Sequence, residues 1–289
     1  MTWSLTESLD QFLARAGEFI AARPAESTVL LSLCERLGRD GPHVFGDQPP
    51  QYGWWRPEAG APVAGAFVRT PPFGPRLGPM PAAAAAELAR TLHADGARPD
   101  RVSGGAPAAA AFAEAWQRLA GTVTSVHAEE RLHRLGELAP PDPGPRGRAR
   151  RAAAADRELL IRWIEEFSAE AGVQQPADTG AQVDRRTAGG ELHVWEDDGR
   201  PVSLAGVGPV IAGMSRIGPV YTPPGLRGRG YAGALVAAGS AHALAEGAAQ
   251  VLLYTDLANP TSNALYQRLG YRPVEDCLVL DLKPAGPGA

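Results

Sequence analysis

The sequence predicts an α/β fold of the α+β type: two domains in tandem, each with a mixed central sheet flanked by helices. Three observations support this. A break rich in proline and glycine occupies residues 138–148 and interrupts helix and sheet alike. The segment after the break alternates strand and helix patterns, and three short segments before it resemble three after it. We therefore predict one domain over residues 1–144 and another over 145–289.

Periodicity and turn residues predict the elements of the second half in order. Arginines at 146–151 follow the break and are expected in a solvated linker and strand start. Apolar residues at helical spacing predict a helix over 156–171, with Asp156 as its N-cap. An Asp-Asp-Gly turn between apolar runs predicts a hairpin. The hairpin strands and the later elements are expected as strands 191–196, 202–211 and 215–222, helix 228–246, strand 250–256, helix 260–269 and strand 272–282.

Short matches between the halves indicate a duplicated fold. They occur in the same order and at a slowly growing offset, which chance does not readily produce. The matching pairs are Gly60-Ala61-Pro62-Val63 with Gly199-Arg200-Pro201-Val202, Arg76-Leu77-Gly78-Pro79-Met80 with Arg216-Ile217-Gly218-Pro219-Val220, and Trp116-Gln117-Arg118-Leu119 with Tyr266-Gln267-Arg268-Leu269.

Composition and charge exclude several classes of protein. A net charge of −4 argues against a general nucleic-acid-binding protein. No apolar run is long enough for a membrane span, and the N-terminus lacks a signal-peptide pattern, so we expect a cytoplasmic protein. Cys34 and Cys277 are far apart and outside any metal-binding spacing, so neither a metal site nor a disulfide is expected. The arginine bias is typical of a GC-rich bacterial genome.

The glycine-rich segment at 218–233 carries the most specific chemical signal. A strand ends, a Pro/Gly turn follows, and a loop with Gly228 and Gly230 runs directly into a helix. Glycines allow close approach of the backbone to a ligand, and the amides and dipole of a helix N-terminus favour a pyrophosphate. Arg227 and Arg229 can add charge-assisted hydrogen bonds.

This loop resembles the phosphate-binding loop of the GNAT (Gcn5-related) N-acetyltransferases, Gln/Arg-x-x-Gly-x-Gly/Ala. Arg227, Gly230 and Ala232 fill its three defined positions. The alternative is a dinucleotide-binding fingerprint, Gly-x-Gly-x-x-Gly, which Gly233 would complete. That fingerprint also requires an acidic residue about 20 residues further on, and Asp256 comes later than that.

A second motif resembles the closing motif of the same family: an Asn, a Tyr seven residues later, and then Gly-Tyr. Asn259, Tyr266 and Gly270-Tyr271 match it. The resemblance implies that the Tyr266 hydroxyl protonates the leaving thiolate as general acid, which suits a phenol that is protonated at pH 7. For Asn259 it implies a helix cap or a bond to the pantetheine arm.

The resemblance also implies acetyl-CoA as co-substrate. Backbone groups of Val220, Tyr221 and Thr222 would pair with the pantetheine amides, and an amide there would polarise the acetyl carbonyl. The remaining residues expected to bind acetyl-CoA are Gly228, Arg229, Gly230, Tyr231, Ala232, Gly233 and Asn263.

The general base is less well defined. Many family members carry a Glu on the strand before the loop, and 215–222 has no acidic residue. Asp256, at the end of the next strand, is the candidate, although a helix or loop cap is the more common role for such a residue. Glu196, Asp197 and Glu275 are the other candidates.

The first half lacks both motifs. Pro81 leads directly into a helix over 82–92, without a counterpart of the loop, and Trp116 stands where Tyr266 stands. An indole cannot act as this acid. We expect a degenerate copy that shapes or covers the acceptor site, as in tandem acetyltransferases of the mycothiol synthase type. Trp54, Trp55 and Trp116 are expected in core packing rather than in a cleft.

The resemblance therefore implies direct transfer of an acetyl group to a primary amine of a small molecule, by a monomer or homodimer. Acceptor residues are expected on variable loops such as 172–190. Three alternatives stay open: a protein or peptide acceptor, an amino-sugar acceptor as in mycothiol synthase, and a non-catalytic acetyl-CoA-binding module.

Overall fold

The computed structural model describes residues 2–173 and 178–284. They form two compact units. Within the described part, unit 1 comprises residues 2–132, 255–259 and 273–284, and unit 2 comprises 133–173, 178–254 and 260–272. The units do not follow a single cut of the chain, because a C-terminal segment belongs to unit 1. The domain boundary near Pro145 stays a prediction.

Unit 1 contains one mixed sheet and four helices among its described residues. Its strands lie in the order β1-β2-β3-β4-β5-β12-β6. The pair β4–β5 is parallel, whereas β12 runs antiparallel to β5, with Cys277 opposite Gly105. The elements are β1 (Thr2–Thr6), α1 (Leu9–Ala21), α2 (Thr28–Asp40), β2 (Gln51–Arg56), β3 (Gly65–Arg69), β4 (Arg76–Leu77), α3 (Ala82–Ala94), β5 (Arg101–Gly105), α4 (Ala106–Ala120), β6 (Thr122–Leu135) and β12 (Tyr271–Pro284).

The core of unit 1 is aromatic and alanine-rich. Trp116 stacks on Phe112 within α4, where alanines let α3 and α4 approach closely. Leu280 and Leu282 of β12 are buried in the same core. Trp54, Trp55 and Trp116 are all buried, which confirms that they serve packing.

In the part of the chain that the structure describes, unit 2 contains one mixed sheet and four helices. Its strands lie in the order β11-β10-β9-β8-β7, antiparallel except for the parallel pair β10–β11. The elements are β7 (Arg148–Arg151), α5 (Arg157–Ala171), α6 (Thr179–Ala188), β8 (Leu192–Asp197), β9 (Arg200–Val207), β10 (Met214–Tyr221), α7 (Tyr231–Ala245), β11 (Gln250–Asp256) and α8 (Pro260–Arg268).

The duplicated fold is thereby confirmed. In both halves a strand and two helices precede three strands, a helix, a strand, a helix and a final strand. The matching sequence segments occupy corresponding places: the turns before β3 and within the β8–β9 hairpin, the strands β4 and β10, and the helices α4 and α8.

The predictions for α7 and for the segment that contains α6 need correction. Helix α7 begins at Tyr231 rather than at 228, because Gly228 and Gly230 have φ of +76° and +81°, which interrupts helical geometry. Helix α6 lies within 172–190, where a loop was expected; residues 174–177 of that segment lie outside the described residues. Asp156 is the N-cap residue of α5, as predicted, although its side chain makes no capping bond to that helix and accepts instead from the Ala153 amide and from Arg150.

Arg150 in β7 bonds both Asp156 and Glu196, which fixes the strand start after the break. Cys34 and Cys277 are buried and free. Over residues 2–173 and 178–284, no helix has the length and apolar character that crossing a membrane requires.

Candidate active site

The site in unit 2 is organised around the point where β10 leaves β11. Parallel pairing joins Met214–Ile217 to Gln250–Leu253 and ends there. From Val220 onward β10 continues antiparallel to β9, after a register shift between Ile217 and Val220. The two parallel strands therefore diverge, as predicted, and the edge of β10 near Val220 faces the opening.

A buried arginine supports this irregular strand. Arg186, on α6, donates to the carbonyl of Gly218 at 3.1 Å and to Glu191 at 3.1 Å. Its side chain is 13% exposed, and burial lowers the pKa of its guanidinium. The Gly218 carbonyl lies in the irregular part of β10 and accepts a hydrogen bond from this charged donor. That bond stabilises the bulge.

The glycine-rich loop leads from β10 into the N-terminus of α7. Within the described part of the chain no side chain caps this helix end, and the first-turn amides of an α-helix lack intrahelical partners. The positive φ at Gly228 and Gly230 turns the chain into the helix without the strain a side chain would cause. The amides of Tyr231, Ala232 and Gly233 lie at this uncapped helix end, the place where the sequence predicts an anion site.

Side chains of the first turn of α7 anchor the helix. The Tyr231 hydroxyl donates to Asp197 Oδ2 at 2.5 Å, and this bond raises the pKa of the phenol. The ring packs with Trp195 and Leu235. A Cβ on Gly233 would lie 3.0 Å from Leu265 Cδ1, so this glycine lets α7 pack closely on α8.

Both loop arginines bond the loop itself. Arg227 Nε donates to the carbonyl of Thr222 at 2.8 Å, and its Nη2 donates to Glu170 Oε2 at 2.6 Å. Arg229 Nη2 lies 3.3 Å from the carbonyl of Gly225. These bonds hold the loop in its fold, a role that the sequence analysis did not assign to the arginines.

The end of β10 is held by side chains on both neighbouring elements. Ser203 Oγ donates to the carbonyl of Tyr221 and lies 2.8 Å from Thr222 Oγ1. The Tyr221 hydroxyl donates to Glu166 at 2.9 Å, and burial is the main cause that raises its pKa to about 12. The side chain of Val220 packs on the opposite face of the strand.

Tyr266 lies on α8 in the core of unit 2 and is 7% exposed. Its ring meets Tyr271 edge to face at 6.0 Å, and the Tyr271 hydroxyl pairs with Ser240 at 2.7 Å. Burial raises the pKa of Tyr266 to about 12. The phenol is therefore fully protonated at neutral pH, as a general acid must be.

The structure separates the two parts of the closing motif. Asn263 and Tyr266 belong to unit 2, whereas Asp256 and Asn259 belong to unit 1. Asp256 Oδ1 accepts from the amide of Ala258 at 2.8 Å, and its carbonyl accepts from the amide of Asn259. Asp256 is thus a loop cap, which was one of its two interpretations.

The other carboxylates proposed as bases have different surroundings. Glu196 bonds Arg150 and Arg148, and the bond to Arg150 is the main cause that lowers its pKa. Asp197 accepts from Tyr231. Glu275 belongs to unit 1, where burial, and then Glu26, raise its pKa to about 7.

Sequence reasoning missed three residues near the end of β10: Glu166, Glu170 and Arg186. The two glutamates lie four positions apart and so share one face of α5. That spacing was visible beside the apolar pattern of the helix. Arg186 lies in the segment expected to be a loop, where no pattern signalled a buried cation.

The corresponding region of unit 1 is shorter. Four residues, 78–81, separate β4 from α3, whereas nine, 222–230, separate β10 from α7. Trp116 in α4 is 1% exposed and packs beside His93. Among the described residues there is no group of three or more His, Cys, Asp or Glu side chains arranged to hold a metal ion.

Comparisons with known proteins agree with this geometry. Residues 157–271 match the sequence model of the acetyltransferase (GNAT) family. A GCN5-related N-acetyltransferase from Sphaerobacter thermophilus is 16% identical, with a TM-score of 0.61 over 98% of this chain and 97% of that one. A tandem GNAT protein from the clavulanic acid biosynthesis pathway is 14% identical, with a TM-score of 0.55 over 100% of each chain. An acetyltransferase from the GNAT family from Colwellia psychrerythraea is 12% identical, with a TM-score of 0.59 over 98% and 100%. Curated proteins give no match.

Proposed function

Residues 157–271 belong to the GNAT acetyltransferase family, within an acyltransferase chain of the tandem type. From this premise we propose that unit 2 transfers an acetyl group from acetyl-CoA directly to a primary amine of a small molecule. One observation carries the proposal. The strand β10 leaves β11 at Ile217, and the glycine-rich loop and open N-terminus of α7 follow it directly.

Acetyl-CoA supplies an activated thioester, and the chain supplies the groups that hold and polarise it. The amides of Tyr231, Ala232 and Gly233, with the dipole of α7, suit the pyrophosphate. Backbone groups of β10 beyond Ile217 suit the pantetheine amides. An amide near Val220 or Tyr221 serves as the oxyanion donor, a role whose loss typically costs about 3 kcal/mol of barrier.

Two side chains handle protons in the proposed reaction. Tyr266 donates to the departing thiolate, since it is protonated at neutral pH. Asp256 is the candidate base for the proton that the amine loses, with water as the relay. The shorter β4–α3 connection supports the proposal that unit 1 binds no donor. We also propose a cytoplasmic bacterial enzyme, since the arginine bias is typical of a GC-rich bacterial genome, and an enzyme that acts as a monomer or homodimer.

Calorimetric titration of the CoA-free protein with acetyl-CoA tests the donor site. We expect one site per chain. Two sites would overturn the proposal that unit 1 is degenerate, and no binding would overturn the donor site itself. Mass spectrometry of an amine panel then identifies the acceptor. Intact mass after incubation with acetyl-CoA alone should show no acetylated protein, because transfer is direct.

A further inference from the structure

The last two turns of α5 carry two carboxylates that lie at the end of β10. Glu166 accepts from the Tyr221 hydroxyl at 2.9 Å, and Glu170 Oε1 lies 3.4 Å from the same oxygen. The second oxygen of Glu170 accepts from Arg227 at 2.6 Å. The two residues therefore have the same charge and lie on the same helix face, but it is Glu170 that bonds the loop arginine Arg227.

The guanidinium of Arg227 contacts three groups in this position. Nε donates to the Thr222 carbonyl, Nη2 donates to Glu170, and the guanidinium carbon lies 5.7 Å from the centre of the Tyr221 ring. Three different groups thus fix the orientation of one planar cation. The bond to Thr222 closes the loop 222–227, and the bond to Glu170 ties that closed loop to α5.

This closed loop immediately precedes the phosphate-binding segment. Gly228 and Gly230, both at positive φ, lie between Arg227 and the first residue of α7. Glycines at both positions leave the segment with little stiffness of its own. The geometry of the α7 amides then depends on how firmly the preceding loop is held.

We propose that Glu170 is a positioning residue for the donor: its carboxylate holds Arg227 against the Thr222 carbonyl and so keeps the loop folded with the first-turn amides of α7 directed outward. This rests on the proposed function, since it assumes that acetyl-CoA binds at these amides. The contrary mechanism is competition, in which the bond to Glu170 keeps Arg227 from binding the phosphates of acetyl-CoA. The two mechanisms predict opposite changes in affinity when Glu170 loses its charge.

The test is the acetyl-CoA dissociation constant of Glu170→Gln, measured by calorimetry. The ion pair is about half exposed, at 48% and 47%, so we expect a Kd about three- to fivefold higher than that of the wild type. Glu165→Gln is the matched control, because it removes the same charge from an exposed position of the same helix that bonds neither Tyr221 nor Arg227 in the described structure. Its Kd should stay within about twofold of the wild type.

A double-mutant cycle separates positioning from a general structural effect. In an Arg227→Ala background, Glu170→Gln should cause no further change in Kd, because the carboxylate then has no guanidinium to hold. An unchanged or lower Kd for Glu170→Gln alone, or an equal loss in both backgrounds, would overturn the inference. Absence of binding by the wild type would instead overturn the proposed function.

Discussion

Tyr231 and Asp197 join the beginning of α7 to the end of β8 through a hydrogen bond of 2.5 Å between the phenol and Oδ2. Because Tyr231 is the first residue of the helix, this bond fixes the terminus that we assign to the pyrophosphate. We expect Tyr231→Phe to raise the acetyl-CoA Kd roughly threefold to tenfold, the range for the net loss of one ordinary intramolecular hydrogen bond. Calorimetry measures it, and an unchanged Kd would show that the terminus is held without this bond.

Backbone geometry at Gly230 makes a second prediction. Its φ of +81° strains any side chain, although a Cβ would meet only ordinary contacts with Pro145, at 3.8 Å. Gly230→Ala should cost about 1 kcal/mol and weaken acetyl-CoA binding about fivefold. Gly225→Ala is the control in the same loop, since its Cβ would meet nothing within 4 Å. Equal effects of the two substitutions would contradict the conformational explanation.

Removal of the Tyr266 hydroxyl tests the general acid. The phenol has a pKa raised to about 12 and lies against Tyr271. Tyr266→Phe should lower turnover about 10²- to 10⁴-fold while the acetyl-CoA Kd stays within about twofold. The fall in turnover should be the same for every amine acceptor, because the CoA thiolate is the leaving group in each reaction. Unaltered turnover would remove Tyr266 from the mechanism.

Asp256→Asn distinguishes a base from a loop cap. An asparagine retains the side-chain oxygen that accepts from the Ala258 amide but loses the charge that a base requires. If Asp256 acts as the base, turnover falls roughly 10²-fold or more with an unchanged melting temperature. Turnover equal to that of the wild type would leave Asp256 as a cap alone.

The pKa of Glu275, about 7, predicts a pH dependence of stability. Burial and Glu26 favour the neutral acid in the folded state, whereas the unfolded chain ionises near pH 4.5. The unfolded state is therefore favoured progressively as pH rises from about 4.5 to 7, and stability falls over that range. Glu275→Gln should remove this fall, which urea unfolding at pH 5 and pH 8 measures. Glu58→Gln, an exposed change in the same unit, should follow the wild type.

Local patterns were sufficient for most of unit 2. The strand expected at 250–256 is β11, and the helix expected at 260–269 ends one residue earlier. These segments have clear apolar periods and end at turn residues, so local sequence specifies them. Helix α6 was missed because Val183 and Thr179 are its buried residues, and one apolar anchor gives no readable period.

Long-range contacts could not be predicted in the same way. Arg227 was assigned to phosphate on the basis of its motif, yet in the structure it bonds Glu170, 57 positions earlier. A surface glutamate carries no signal in a single sequence that identifies its partner. The motif located the loop correctly, and the tertiary structure determined what its arginine contacts.

The placement of β12 has a consequence for synthesis. Arg101 in β5 bonds Asp281 in β12 at 2.8 Å, across 180 positions of the chain. While the polypeptide emerges from the ribosome, β5 cannot pair with β12 until all of unit 2 has been translated. The first unit therefore completes its sheet last, and until then the edge of β5 carries unpaired backbone groups of the kind that promote association with other chains.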